Sequence, residues 1–273
     1  MSYYKSILIC GGDQRQKYMY RYFVEKGLEA GTFALDCDNN IAMEDFKKFD
    51  VVVLPVPVSR DGVYLNVPLA DFKVKTEDVL AALDKGQIVL GGMCGGTDII
   101  DYYENESFQM QNAVPTAEGA LQIAMENTDI TVNKAYCAIL GYGRIAKILA
   151  SMLKNMGACV AVYARNPKDV ALAKAFGFES FNITEIERNA DKYDIFFNTV
   201  PKVIVDSDVL NKVKNSAVLI ELASKPYGID TEAAKKFGKK VIIASGLPGK
   251  VAPKTAGRIL GDVIMDILMG MEV

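Results

Sequence analysis

The chain has 273 residues, half of them hydrophobic, with 31 Lys and Arg against 34 Asp and Glu. That length and apolar fraction suit two domains with sizeable cores, and a formal charge of −3 gives no support for binding nucleic acid. There is no histidine, which removes Ser-His-Asp hydrolysis, histidine metal sites and histidine-assisted ketone reduction together. Any general acid or base is therefore Asp, Glu, Lys, Tyr, Cys or water.

In the first half, apolar runs predict strands at 6–10, 29–34, 51–54 and 87–90. Helices are expected over 14–26 and 76–83, with a further short helical segment in 96–104. Near Val114-Pro115-Thr116 the chain is expected to change domain. Pro115 disfavours helix at Val114, and Thr116 is placed to cap a helix over 117–127 with Ala120, Ile123 and Ala124 on one face. The second half predicts strands at 135–140, 159–163, 195–198, 217–221 and 241–244, and helices over 144–155, 169–176 and 231–237. Residues 185–187 begin another short helix, Asp230 is the expected N-cap of the last of the three longer helices, and Gly238 its stop. An apolar helix over 251–269 follows.

Alternating strands and helices predict an α/β chain of two doubly wound domains, each with a parallel sheet. Domain 1 spans 1–115 and domain 2 spans 116–251, with a C-terminal helix over 252–273 returning to the first domain. The cysteines Cys10, Cys37, Cys94, Cys137 and Cys159 are odd in number, scattered and without a C-x-x-C pair. They are expected to be thiols of a reducing cytoplasm, with Cys10, Cys137 and Cys159 buried in strands and no metal site. The opening residues carry no signal-peptide pattern and no apolar run is long enough to span a bilayer, so no membrane partner is expected.

The strongest motif is the apolar run Ala135-Tyr136-Cys137-Ala138-Ile139-Leu140 entering Gly141-Tyr142-Gly143-Arg144-Ile145-Ala146. Gly141 permits a tight turn, Gly143 lets the backbone approach a pyrophosphate, and Ala146 keeps helix close to strand. The amphipathic helix that follows (Ile145, Leu149, Met152, Leu153) turns its positive end and free N–H groups toward the phosphates. About 20 residues on, where an acid grips the ribose of NAD, the chain reads Tyr163-Ala164-Arg165-Asn166. Arg165 offers a planar fork of donors to a 2′-phosphate, with Asn166 and Lys168 beside it. The cofactor expected is NADP rather than NAD.

The other unusual residues fall after strands: Gly11 to Gln16, Pro55 to Gly62, Gly91 to Gly96, Thr199-Val200-Pro201, Leu222 to Pro226 and Gly246 to Lys250. Parallel strands place such loops on the ligand-binding edge of a sheet. If the two edges face one another, Arg15, Arg60, Lys225, Lys250 and Lys254 would look into one cleft suited to a small dicarboxylate. Taken singly, Asp13 is equally well a cap of helix 14–26, and Arg15 and Arg60 are equally well surface charges.

With these residues in hand, the chain resembles the A-subunit family of dipicolinate synthase over nearly its whole length. The likeness rests on Gly11-Gly12-Asp13 with Arg15-Gln16, Leu54-Pro55-Val56-Pro57, Asn112 with Pro115 to Ala120, Gly141 to Arg144, Ala164-Arg165, Asn198 to Pro201, Glu221 to Pro226, and the selective stretch Leu247 to Gly257. The resemblance implies a flavodoxin-like first domain for substrate and a Rossmann second domain. It also implies an NADP-dependent oxidation of a dihydro- or hydroxytetrahydro-dipicolinate to pyridine-2,6-dicarboxylate in the cytoplasm of a sporulating cell. The expected partner is the flavoprotein-like B subunit of dipicolinate synthase, and a homo-oligomer is left open.

On that basis Gly141, Tyr142, Gly143, Arg144 and Ile145 are expected at the pyrophosphate, and Arg165 and Asn166 at the 2′-phosphate. Thr199, Val200 and Pro201 flank the nicotinamide, with Leu222, Ala223 and the loop to Lys225 closing over it. Arg15, Ser59, Arg60, Lys254 and either Lys225 or Lys250 hold carboxylates, while Asn112, Thr116 or Glu118 orients the ring. Asp13 or Glu118 accepts the proton, and Lys225 is expected with them among the catalytic residues; the plain alternative for Glu118 is a first-turn helix acid. Two other readings stay open: a non-catalytic NADP-binding regulatory subunit of the same complex, and a histidine-free NADP-dependent reductase of another small acid.

Overall fold

The computed structural model describes residues 4–37, 39–95 and 98–271. The chain divides into two compact units, Met1–Asn112 with Ala252–Val273, and Ala113–Val251.

In the first unit, β1 (Ser6–Cys10), α1 (Gln14–Glu25), β2 (Glu29–Phe33), β3 (Val51–Val53), α2 (Thr76–Ala81), β4 (Ile88–Gly91) and β5 (Ile100–Asp101) follow in order. The strands form one parallel sheet of order β2-β1-β3-β4-β5, the flavodoxin-like winding. Successive side chains alternate between its faces: Ile7, Ile9, Val51 and Val53 enter one core, and Leu8, Cys10, Val52 and Leu54 the other. The last helix of the chain, α10 (Pro253–Met271), belongs to this unit, where Ile259, Leu260, Val263, Ile264 and Leu268 pack with Met19, Tyr22 and Phe23 of α1. Gly257 permits that approach, because a Cβ there would meet the backbone oxygen of Arg15 and, at 3.0 Å, the backbone nitrogen of Met19.

The second unit holds β6 (Tyr136–Leu140), α4 (Arg144–Asn155), β7 (Cys159–Ala164), α5 (Pro167–Ala175), β8 (Glu179–Asn182), α6 (Ile186–Asn189), β9 (Ile195–Asn198), α7 (Ser207–Lys212), β10 (Val218–Glu221), α8 (Thr231–Lys236), β11 (Lys240–Ile243) and α9 (Leu247–Val251). Its six parallel strands run in the order β11-β10-β9-β6-β7-β8. This is the dinucleotide-binding order, in which direction of winding reverses beside the first strand. Cys137, Ile139, Val162, Phe197 and Ile220 fill one core; Ala138, Leu140, Tyr163, Phe196 and Leu219 fill the other.

Several expectations are corrected here. Helix α3 runs unbroken from Glu106 to Asn127 with Pro115 inside it, so Thr116 lies in mid-helix and is not the N-cap of a helix starting at Ala117. Ala113, Ala117, Ala120 and Ala124 form a buried stripe at helical spacing through the proline, and burying that stripe offsets the one hydrogen bond that Pro115 forfeits. Residues 102–104 form a 3-10 turn after strand β5 rather than a longer helix; Gly96 lies outside the described residues. Strand β8 escapes its sequence because an edge strand reading Glu-Ser-Phe-Asn has one apolar residue, and the short α7 escapes because its two buried apolar residues, Val209 and Leu210, are adjacent and show no helical period. Leu247–Val251 is a helical turn, not a loop, and the final helix starts afresh at Pro253. Cys159 is exposed, while Cys10 and Cys137 are buried: the first residue of β7 stands at the sheet's rim.

Candidate functional site

The C-terminal edge of the second sheet reverses its winding between β6 and β9, the place where such sheets bind ligands. Gly141 follows β6 with φ +98°, and its N–H donates to the Tyr163 carbonyl at 2.8 Å. A Cβ there would meet Thr199 Oγ1, and Val200 Cγ2 at 3.0 Å. Thr199 is fastened to the same turn, its N–H and Oγ1 both donating to the Leu140 carbonyl at 2.9 and 2.8 Å.

Gly143 is the N-cap of α4, and no side chain caps that helix. By contrast α5, α7 and α8 are capped by Asn166, Asp206 and Asp230. A Cβ on Gly143 would meet nothing within 4 Å. A helix start with no side-chain acceptor, opening onto free space at the switch point, fits a pyrophosphate. Arg144 and Ile145 begin this helix, and Ala146 is fully buried beneath it. Tyr142 offers backbone only: its ring is buried edge-to-face against Phe178, with centroids 6.4 Å apart and Lys147 over its face.

Arg165 is exposed beyond the end of β7 and, among the described residues, has no hydrogen-bond or ion-pair partner. Ala164 before it is buried and presents no acid. Asn166 is committed as a cap, its Oδ1 accepting from the Lys168 N–H at 2.9 Å, so only its amide N–H₂ remains to offer.

Asn198 and Glu221, to which the sequence alone assigns no role, are the most organised groups on this edge. They end adjacent strands in register, and both are fully buried. Glu221 Oε1 accepts from Asn198 Nδ2 at 2.7 Å and from the Ala223 N–H at 3.0 Å; Oε2 accepts from the N–H groups of Gly228 and Ile229, each at 2.9 Å. Asn198 in turn donates to the Val200 carbonyl at 3.0 Å and accepts its N–H at 3.2 Å. The available signal was a polar residue closing each of two apolar runs, Ile-Phe-Phe-Asn and Val-Leu-Ile-Glu. Leu222 and Ala223 are partly buried next to this pair, whereas Pro201 and Lys225 are exposed.

On the first sheet's C-terminal edge, Asp13 caps α1 through the Arg15 N–H at 3.0 Å, and Gln16 Oε1 accepts the Asp13 N–H at 2.9 Å. Arg15, only 8% exposed, grips the Asp13 carboxylate through two nitrogens, each at 2.9 Å, and donates to the Val56 carbonyl at 3.0 Å. Burial alone would raise the Asp13 pKa, but hydrogen bonds and charge from Arg15, with the charge of Arg60, outweigh it and hold the carboxyl below its ordinary range. Arg60 Nε donates to Asn66 Oδ1 at 3.2 Å, so Asp13, Arg15, Arg60 and Asn66 share this edge. Gln16 is fully buried and its Nε2 lacks a hydrogen-bond partner.

Ser59 serves its own turn, with Oγ donating to Asp61 and accepting from the Gly62 N–H. Asn112 and Thr116 sit partly buried within α3 and Glu118 is exposed on it, in mid-helix, so the first-turn alternative for Glu118 is withdrawn. Lys254 is exposed in the first turn of α10 in the first unit; Lys225 and Lys250 are exposed in the second.

A lowered carboxyl stabilises the fold above the unfolded-state pKa and loses that contribution as pH falls through the folded-state value. Asp13→Asn is therefore expected to cost about 2 kcal/mol at neutral pH, the scale of a charge-assisted hydrogen bond, with the difference from wild type closing below about pH 4. Urea denaturation across pH 3–7 measures it.

Two family models match the chain: that of the N-terminal domain of the dipicolinate synthase A subunit over residues 6–110, and "S-adenosyl-L-homocysteine hydrolase, NAD binding domain" over residues 112–247. The A subunit of dipicolinate synthase from Bacillus subtilis (strain 168) is 31% identical, the alignment covering 97% of this chain and 96% of that protein. The crystal structure of the same subunit from Bacillus halodurans is similar with a TM-score of 0.89 at 29% identity, covering 97% of each chain. The crystal structure of the Bacillus subtilis protein gives 0.87 at 28% identity, covering 98% of this chain and 96% of that one. Among the described residues, no helix is long and apolar enough to cross a membrane. The second unit is thus an NAD(P)-binding domain, and the chain belongs to the A-subunit family of dipicolinate synthase.

Proposed function

We propose that the chain is an NADP-dependent oxidoreductase that converts a dihydrodipicolinate to pyridine-2,6-dicarboxylate in a sporulating cell, working with the B subunit of dipicolinate synthase. The observation that carries this reading is the pairing of an uncapped, open α4 start at Gly143 with an unpartnered guanidinium, Arg165, just past the tip of the next strand. The first unit is the substrate domain in this reading, and the second, with the Gly141 turn, the cofactor domain.

Gly141, Gly143 and the first-turn N–H groups of Arg144 and Ile145 would hold the pyrophosphate, and Arg165 the 2′-phosphate. Thr199 and Val200 line the same turn. When bound, NADP supplies a two-electron acceptor for one hydride. The substrate ring gives up that hydride and one proton, and a hydroxytetrahydro form first loses water. Aromatisation drives the proton loss, which suits a chain without histidine. Arg15 and Arg60 supply the positive charge for a carboxylate, with Asp13 fixing the Arg15 fork rather than taking the proton, since a carboxyl held low is a weak base.

That commitment of Asp13 to Arg15 also favours a second reading, in which this chain binds NADP and the B subunit carries the chemistry. The purified chain mixed with substrate and NADP separates the two: growth of NADPH absorbance with no B subunit present supports the first, and its absence in a chain that binds NADPH supports the second. Arg165→Ala tests the cofactor choice. It is expected to weaken NADPH by about 10-fold in a fluorescence titration, one charge-assisted contact, while leaving NADH within about 2-fold. Equal losses for both nucleotides, or none, would refute the role of Arg165.

A further inference from the structure

We infer that Glu221 is a positioning residue for the nicotinamide half of the cofactor, acting through Asn198 and the two loops that its carboxylate ties together. The inference rests on the dinucleotide reading above and assigns a role to a pair that touches no reacting atom.

A fully buried carboxylate normally has a cation beside it; the hydrogen bonds of Glu221 come instead from N–H groups alone, and its two oxygens receive four of them. A carboxylate is acceptor-only with about four lone-pair sites, so the donor set matches its capacity. The donors come from three places in the sequence. Asn198 ends β9, Ala223 is the second residue of the loop after β10, and Gly228 and Ile229 lie toward the end of that loop. Residues 222–228 therefore wrap around the side chain of the residue that precedes them.

The same knot reaches the loop after β9. Asn198 bonds both backbone groups of Val200, and the Gly228 carbonyl accepts the N–H groups of Ile204 and Val205 at 2.8 and 3.0 Å. A Cβ on Gly228 would strike Asn198 Nδ2 and the Val200 carbonyl, so the two loops are in direct contact. Thr199, one residue from this knot, bonds the end of β6 and abuts Gly141. One carboxylate thus sets the register of two loops against the glycine turn. Arg165, at the opposite side of β6, has no share in it. The loops and the adenine end are consequently separable.

The test compares NADPH with 2′-phospho-ADP-ribose, which lacks nicotinamide, on purified full chain. Glu221→Gln keeps the shape but turns one acceptor into a donor facing N–H groups, which must open the knot. Wild type is expected to bind both probes. Glu221→Gln is expected to weaken NADPH about 30-fold while 2′-phospho-ADP-ribose stays within about 3-fold. Asn198→Ala removes one donor of the four and is expected to show the same split at about 5-fold; it decides the matter if Glu221→Gln does not fold. Parallel losses for the two probes, or unchanged NADPH binding in a folded variant, mean that the pair serves general stability only and overturn the inference. If wild type binds neither probe, the dinucleotide reading itself falls and the inference with it.

Discussion

Gly143→Asp is expected to make the protein slightly more stable and at the same time to weaken NADPH binding at least about 100-fold. Gly143 already has the extended backbone of an N-cap, φ −80° and ψ −165°, and open space around its missing side chain. An aspartate there can accept a first-turn N–H and place its charge at the positive end of α4, together worth about 0.5–1 kcal/mol. The same carboxylate would occupy the anion site and repel a pyrophosphate, and 100-fold corresponds to only about 2.7 kcal/mol. The first unit supplies the natural control, since α1 carries Asp13 as its cap at the corresponding turn. A thermal melt paired with a fluorescence titration measures both halves. A variant that keeps its affinity would show that the open cap is not a phosphate site, and one that melts lower would overturn the capping half of the expectation.

Gly257→Val is expected to cost about 3 kcal/mol, at the upper end of overpacking. The atoms it meets are backbone, Arg15 O and Met19 N, with Tyr18 Cβ at 2.7 Å, and backbone within a helix cannot step aside as a flexible side chain does. The better helix propensity of valine over glycine recovers only a few tenths of a kcal/mol. Because the contact falls on the turn that carries Arg15, affinity for the proposed dicarboxylate substrate should fall too. Urea midpoints for the variant and wild type at equal slope give the number; a shift below about 1 kcal/mol would mean that α10 slides along α1 at little cost.

The dinucleotide turn was legible because its elements are local. Buried strand, Gly141, Gly143, Ala146 and amphipathic helix fall within 20 residues, and each spacing has one geometric use. The absence of an acid at 164–166 is read just as directly. Asn198 and Glu221 were not legible, because a polar residue ending an apolar strand has the same pattern whether it faces water or is buried. Only pairing β9 with β10 in register brings them together. Asp13 and Arg15 fall between these cases. Capping was one of two roles the sequence left open for Asp13, but the two-nitrogen grip and the Val56 contact, 41 residues away, were not legible.

Composition and periodicity by themselves determined the class of fold, the place of the glycine turn and the chemistry closed to a chain without histidine, since all three follow from residue identity and short-range spacing. Tertiary structure alone decided the course of α3 through Pro115, the partnerships of Asp13 and Glu221, and the exposure of Cys159. Each of those depends on which distant backbone and side-chain groups are removed from water together, and local propensity, about 1 kcal/mol or less for ordinary residues and about 3 kcal/mol even for a proline inside a helix, does not outweigh that burial.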